Sequence, residues 1–129
     1  MNYLISELLN DEEIQIFKNR LKGESEYWED GKKTAGSHAA QVKNNLQLNR
    51  NCEISQSLSK LVTNKILSNP LIKSFSLPKK IHGIMFTKSR DGMKYGRHID
   101  NAFMSSGRAD LSFTIFFNEK ESYQGGELL

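Results

Sequence analysis

Cysteine is nearly absent from this sequence: Cys52 is the only one in 129 residues. An internal disulfide is therefore excluded, and so is a metal cluster held by thiolates. Cys52 stands in "NRNCEISQ" at the start of a predicted helix, where a thiol pKa can fall. No base stands near it in the sequence, which argues against a nucleophilic cysteine. Long apolar runs are missing as well. No stretch approaches the ~20 apolar residues of a membrane span. The N-terminal "MNYLISELLNDEE" is acidic and lacks the basic flank and continuous apolar run of a signal peptide. A soluble cytoplasmic protein is the default expectation, with no membrane partner. An excess of one charge sign is also wanting. The net charge is +3 with 15 acidic residues interspersed, and the longest basic spots are the pairs Lys32-Lys33 and Lys79-Lys80. That is too weak and too mixed for a nucleic-acid or membrane surface. There is no internal repeat and no low-complexity tract.

What is present fits one soluble globular domain, with 37% hydrophobic and 26% charged residues and a length that allows a modest core. Asn10 and Glu13 have capping-box spacing, and Ile14, Phe17 and Leu21 follow at helical intervals, which predicts a helix over residues 11 to 22. "YWEDGKKTAG" is turn-rich around Asp30-Gly31, with Trp28 as an anchor, and "SHAAQVKNNLQL" reads as extended. Asn51 is the expected cap of a second helix over 52 to 68, with Ile54, Leu58, Leu61, Val62 and Ile66 on one face. "SNP" at 68 to 70 ends it. The second half changes character. "IHGIMFTKS", "MKYGRHID" and "DLSFTIFFN" are rich in β-branched and aromatic residues, and Asp91-Gly92, "MSSGR" and "EKESYQGG" separate them. Helices first and strands afterwards predict an α+β fold, with helices backing an antiparallel sheet.

The chemistry-bearing pattern is His98-Ile-Asp100. In a strand, residues i and i+2 share a face, so an imidazole nitrogen and a carboxylate oxygen can meet one cation at about 2.1 Å each. A third ligand, an imidazole from another strand, would complete a 2-His-1-carboxylate triad and leave three octahedral positions open. The same ligand types suit Zn, Mn or Ni, and a His-x-Asp on an exposed polar strand is the bland alternative. In "DLSFTIFF", alternation sets Leu111, Phe113, Ile115 and Phe117 on one face and Ser112, Thr114 and Phe116 on the other. The hydroxyl-bearing face is the better candidate for a pocket wall. Tyr95 could reach a ligand or cover the core. His82 suits a hydrogen bond at a sheet end, and His38 a pocket mouth. Arg97 alternates away from His98 in a strand, and Arg108 suits a pairing with Asp110.

Taken in order, "Gly92-Met-Lys-Tyr95-Gly-Arg-His98-Ile-Asp100-Asn", "Arg108-Ala-Asp110-Leu-Ser-Phe-Thr-Ile-Phe-Phe" and "Tyr123-Gln-Gly-Gly-Glu127-Leu" closely resemble the PKHD-type hydroxylases. These belong to the prolyl-4-hydroxylase-like group of Fe(II)/2-oxoglutarate dioxygenases. "Trp28-Glu-Asp-Gly-Lys-Lys-Thr-Ala-Gly" and "Gln41-Val-Lys-Asn-Asn-Leu-Gln-Leu" are also similar to that family's N-terminal region. The resemblance implies a double-stranded β-helix, or jelly roll, with N-terminal helices packed on it. It implies Fe(II), 2-oxoglutarate and O₂, with L-ascorbate in support, and a C–H oxidation that yields succinate and CO₂. His98 and Asp100 match the family's first iron histidine and its aspartate. The second iron histidine and the arginine for 2-oxoglutarate lie well after the Gly-Gly-Glu-Leu turn, so both are expected beyond residue 129.

The division that follows is residues 1–80 as a helical support and 81–129 as the first part of the β-core, in one domain. Tyr95, Ser112 and Thr114 are the residues expected near the cosubstrate. Because "YQGGELL" stops just after a turn signal, the chain is expected to end before its fold is complete, to be marginally stable and not to turn over 2-oxoglutarate. An exposed sheet edge would then invite pairing with a second copy, as a homodimer, or aggregation. The prime substrate, a small molecule or a peptidyl residue, is open. The rival readings are an inactive relative and a non-enzymatic β-sheet binding module in which His-x-Asp is incidental.

Overall fold

The computed structural model describes residues 3–23 and 25–128, without the side chain of Ser25. Helix α1 spans Asp11–Lys22, the range its spacing predicts, and both halves of its capping box form: Glu13 N–H donates to Asn10 Oδ1 at 2.9 Å, and Asn10 N–H donates to Glu13 Oε2 at 3.0 Å. Strand β1 (Trp28–Asp30) follows a short 3₁₀ turn, and helix α2 (Ser37–Gln41) occupies a stretch expected to be extended. Strands β2 (Lys43–Asn44) and β3 (Leu46–Leu48) come next. Helix α3 covers Glu53–Ser68. Its N-cap is Cys52, whose sulfur accepts from Ser55 N–H at 3.4 Å, and not the expected Asn51. The chain then stops and restarts. Asn69 closes α3 and caps helix α4 (Pro70–Ser76), accepting from Ile72 N–H at 3.0 Å. Pro70 sits at the first helical position, where its missing N–H costs nothing.

The strands are shorter than expected. They are β4 (Thr87–Lys88), β5 (Lys94–Tyr95), β6 (Phe103–Met104) and β7 (Gly107–Arg108). An antiparallel three-stranded sheet runs β1-β3-β4, with Trp28 opposite Leu48 and Gln47 opposite Thr87. A second ladder pairs β2 with β5, setting Lys43 opposite Tyr95, and β6 and β7 form a hairpin. The Asp91-Gly92 turn does form, with Met93 N–H donating to Arg90 O at 2.9 Å and Gly92 at φ +78°, a conformation that favours glycine. It does not close a hairpin. It carries the chain from β4, in the first sheet, to β5, in the second. The run 111–117, expected to be a strand, has no strand assignment and no ladder partner among the described residues.

The core lies between α1, α3 and the three-stranded sheet. Phe17, Leu48, Leu58, Val62, Ile66 and Phe86 are its buried members. Leu61, placed by periodicity on the same face of α3, is instead 43% exposed. Lys65 of α3 pairs with Glu13, and Arg20 donates to Ser57 Oγ at 2.6 Å, which fixes α1 on α3. Phe117 reaches back to stack on Phe17 at 5.3 Å between ring centroids. Trp28 is half-buried, with Lys88 Nζ 4.2 Å from its ring centroid. Helices and small antiparallel sheets in one chain make the fold mixed α and β. Among the described residues no helix is long and apolar enough to cross a membrane.

Candidate metal centre

Residues 96–102 link β5 to β6 without being a strand, so the convergence of His98 and Asp100 does not come from strand alternation. It comes from local hydrogen bonds. Gly96 N–H donates to Val42 O at 2.8 Å, extending the β2–β5 ladder by one bond. A Cβ at Gly96 would stand 3.1 Å from Val42 Cβ, tighter than ordinary contact, so glycine is the residue that fits. The Gly96 carbonyl then meets His98 Nδ1 at 2.8 Å. That bond assigns the Nδ1 proton, since a carbonyl only accepts, and leaves the Nε2 lone pair free in the neutral ring. His98 Nε2 faces Asp100 Oδ1 at 3.2 Å.

Tyr95 sits beside this pair. Its ring stacks on that of His98 with centroids 3.8 Å apart and planes at 11°. Burial, with the Asp100 carboxylate adding to it, pushes the Tyr95 phenol up from its usual range. A cavity of about 360 Å³ opens on the other residues of the segment and is lined by His38, Ala39, Arg97, His98 and Ile99. His38 on α2 thus stands at a pocket beside His98. Arg97 lines the same cavity as His98, against the expectation that it points away, because the segment is not extended in strand alternation.

Ser112 and Thr114 are exposed on the unpaired run 111–117, do not line this cavity, and make no hydrogen bond to His98 or Asp100 among the described residues. The alternation that assigned them to a pocket needs a paired sheet to take effect. Arg108 Nε donates to Asp110 Oδ1 at 2.5 Å, the pairing expected of it. His82 Nδ1 and Ser106 Oγ are 2.6 Å apart, a bond that holds the β6–β7 hairpin to the segment before β4. Among the described residues no group of three or more His, Cys, Asp or Glu side chains is arranged to hold a metal ion. Lys43 is a neighbour of the site that periodicity did not single out, since a lysine in a polar two-residue strand carries no signal for burial.

Comparison with known proteins agrees with the pattern of residues. The chain is 66% identical over 129 residues to a PKHD-type hydroxylase of Prochlorococcus marinus strain AS9601, covering 100% of this chain and 58% of that protein. The chain is homologous to the PKHD-type hydroxylases. A PKHD-type hydroxylase of strain MIT 9301 is 68% identical over 130 residues, with 100% of this chain and 59% of the relative covered. One from strain MIT 9211 is 54% identical over 129 residues, again across 100% of this chain and 58% of the relative. The chain therefore spans 58–59% of the length of these PKHD-type relatives. No family model matches the chain, and no solved structure matches it.

Proposed function

We propose that this chain is part of an Fe(II)- and 2-oxoglutarate-dependent hydroxylase in which His98 and Asp100 are two of the iron ligands. One observation carries the reading: His98 Nε2 and Asp100 Oδ1 converge at 3.2 Å while His98 Nδ1 is taken by the Gly96 carbonyl. Two acceptor lone pairs aimed at each other repel unless a cation lies between them. Two ligands at about 2.1 Å from one ion and at right angles are separated by about 3 Å, close to the spacing here. A backbone carbonyl that orients a histidine through its far nitrogen is the usual support of a metal ligand. The rival is a plain imidazolium–carboxylate pair, favoured by the 68% exposure of the Asp100 side chain.

When bound, Fe(II) with 2-oxoglutarate and O₂ supplies oxidation of an unactivated C–H bond, giving succinate and CO₂, with L-ascorbate in support. The chain's own part is geometric. Gly96 sets the His98 tautomer, Tyr95 holds the ring plane, and the cavity walled by His38, Arg97 and Ile99 admits a small molecule or a single peptidyl side chain next to the ligand pair. The likeness to PKHD-type hydroxylases supports the hydroxylase class. Within it, residues 1–80 serve as the support and 81–129 as the opening part of a jelly-roll core, in a soluble cytoplasmic protein. The third protein ligand and the 2-oxoglutarate arginine would come from the part of the relatives that this chain does not span.

The test is an anaerobic titration of the 129-residue chain with Fe(II) in the presence of 2-oxoglutarate. The expected result is a weak visible charge-transfer band that is lost in His98→Ala and in Asp100→Ala. A band that survives both substitutions would move the metal elsewhere, and no band even in a chain extended by the part of the relatives not spanned here would favour the plain ion pair.

A further inference from the structure

Lys43 is only 2% exposed, which is rare for a lysine without an ionic partner. Its ammonium meets neutral oxygens alone: Gln47 Oε1 at 3.3 Å and Thr34 Oγ1 at 3.4 Å. No carboxylate stands within ion-pair distance of it among the described residues. Burial, chiefly, and the nearby Arg50 charge push its pKa down, and the Asp30 carboxylate, beyond ion-pair distance, opposes them only in part. A desolvated cation held this way needs a further compensating contact, and the structure supplies one. Lys43 Nζ lies 5.0 Å from the centroid of the Tyr95 ring, within cation–π range. Lys43 and Tyr95 are also cross-strand partners in the β2–β5 ladder. Tyr95 in turn stacks on His98.

We infer that Lys43 is a positioning residue for His98, acting through the Tyr95 ring; its importance to function rests on the metal reading above. The path is contiguous. Gln47 belongs to the three-stranded sheet, Lys43 to the two-stranded one, and the ammonium between them fixes where Tyr95 stands. The stacked ring sets the plane of the imidazole, and the Gly96 carbonyl sets its rotation about that plane. Nε2 is thereby aimed at Asp100. The adjacent residue reinforces the arrangement, because Val42 O holds Gly96 N–H at 2.8 Å. The dipeptide Val42-Lys43 therefore supports Tyr95-Gly96, and those two residues orient the ligand.

Two readouts on the full 129-residue chain test this. The first is NMR of the His98 imidazole without metal, at a fixed pH of about 8 where a free imidazole is neutral. The second is Co(II) affinity. Tyr95→Leu, at a residue 41% exposed, and Lys43→Met should each remove the stacked-ring shift of His98 and its single Nδ1–H tautomer. Each should also weaken Co(II) roughly 10- to 100-fold, the range for loss of an outer support. Tyr95→Phe keeps the ring and should retain both properties, which a role for the hydroxyl would not allow. Where Lys43→Met does not fold, Thr34→Val, at an exposed position, should give the same changes in smaller degree. His98 signals unaltered by Tyr95→Leu, or by whichever of Lys43→Met and Thr34→Val folds, overturn the inference. Because the third ligand is assigned to the part of the relatives that this chain does not span, the metal-free NMR comparison decides the positioning whether or not the unaltered chain holds Co(II).

Discussion

Helix α3 and the run 111–117 both carry apolar residues at regular spacing, and the two meet opposite fates. In α3, Leu58, Val62 and Ile66 are 0%, 1% and 6% exposed. In the later run, Leu111, Phe113 and Phe116 are 55%, 49% and 50% exposed, and only Ile115 and Phe117 touch the core. A helix satisfies its own backbone and needs one face to pack, whereas a strand must find another strand before its alternation means anything. Among the described residues, all six buried members of the core lie at or before Phe86. The candidate site sits at the margin between these regimes, on a segment tied to the early part through Val42 and Lys43.

The largest test of that contrast is a pair of equal truncations. Leu58→Ala should cost about 2–5 kcal/mol, by loss of buried surface and by the cavity left behind. Leu111→Ala should cost within about 0.5 kcal/mol, the range for surface positions. Urea denaturation of both variants gives the comparison directly. Similar costs at the two sites would mean that the run 111–117 is packed more firmly than its exposure indicates.

A second test probes packing near the site end of the early region. Gly31 N–H donates to Asn45 O at 2.9 Å, and a Cβ on Gly31 would fall 2.0 Å from Asn45 Oδ1 and 3.0 Å from Lys43 Cε. Asn45 and Lys43 are both buried, so neither can swing aside cheaply. Gly31→Ala should therefore destabilise by about 1–3 kcal/mol, as overpacking does. Gly23, whose Cβ position has nothing within 4 Å, is the control and should tolerate alanine. If Gly31→Ala disturbs His98 as well, the route from Lys43 to the ligand gains support.

The same contrast explains what was legible in the sequence. Helix α1 was readable to the residue because its signals are local, a capping box followed by 3.6-residue spacing. Helix α3 was readable but for its cap: a cysteine at N-cap is a weak signal beside the neighbouring Asn51. Helix α2 escaped because five residues without a side-chain cap show no period. Helix α4 is hidden because Asn69-Pro70 both ends one helix and begins the next, and a stop signal masks the start signal it shares. The strands of the second half are shorter than their composition predicts, since their propensity is real but their partners are set by tertiary structure. At the site, the Arg108–Asp110 pair was accessible from spacing; His98 and Asp100 do meet, but through an irregular segment and the Gly96 carbonyl, not through the strand alternation that suggested them. The cavity shared by Arg97 and His38 was not, because it depends on an irregular segment lying against α2. Tyr95 was visible as a neighbour, but its stacking on His98 follows from a ladder register that no short-range pattern encodes.

The smallest expected effect concerns Glu13, the acid whose helix was the most readable. Its hydrogen bond to Lys65, and then the Asn10 N–H, hold its carboxyl below the ordinary value of 4.5. A carboxyl whose pKa is lowered in the folded state stabilises the fold above its unfolded pKa, and that contribution is lost as pH falls through the folded value. Glu13→Gln keeps an acceptor for the capping box and removes only the charge. The Tm difference between the unaltered chain and Glu13→Gln should thus be constant from neutrality to about pH 5 and close below that as Glu13 takes up its proton. Added salt should shrink it at neutral pH, because the pair with Lys65 is open to solvent. A gap that persists in acid would show that glutamine injures the cap itself, and the local reading of α1 would then need a packing term in place of the charge.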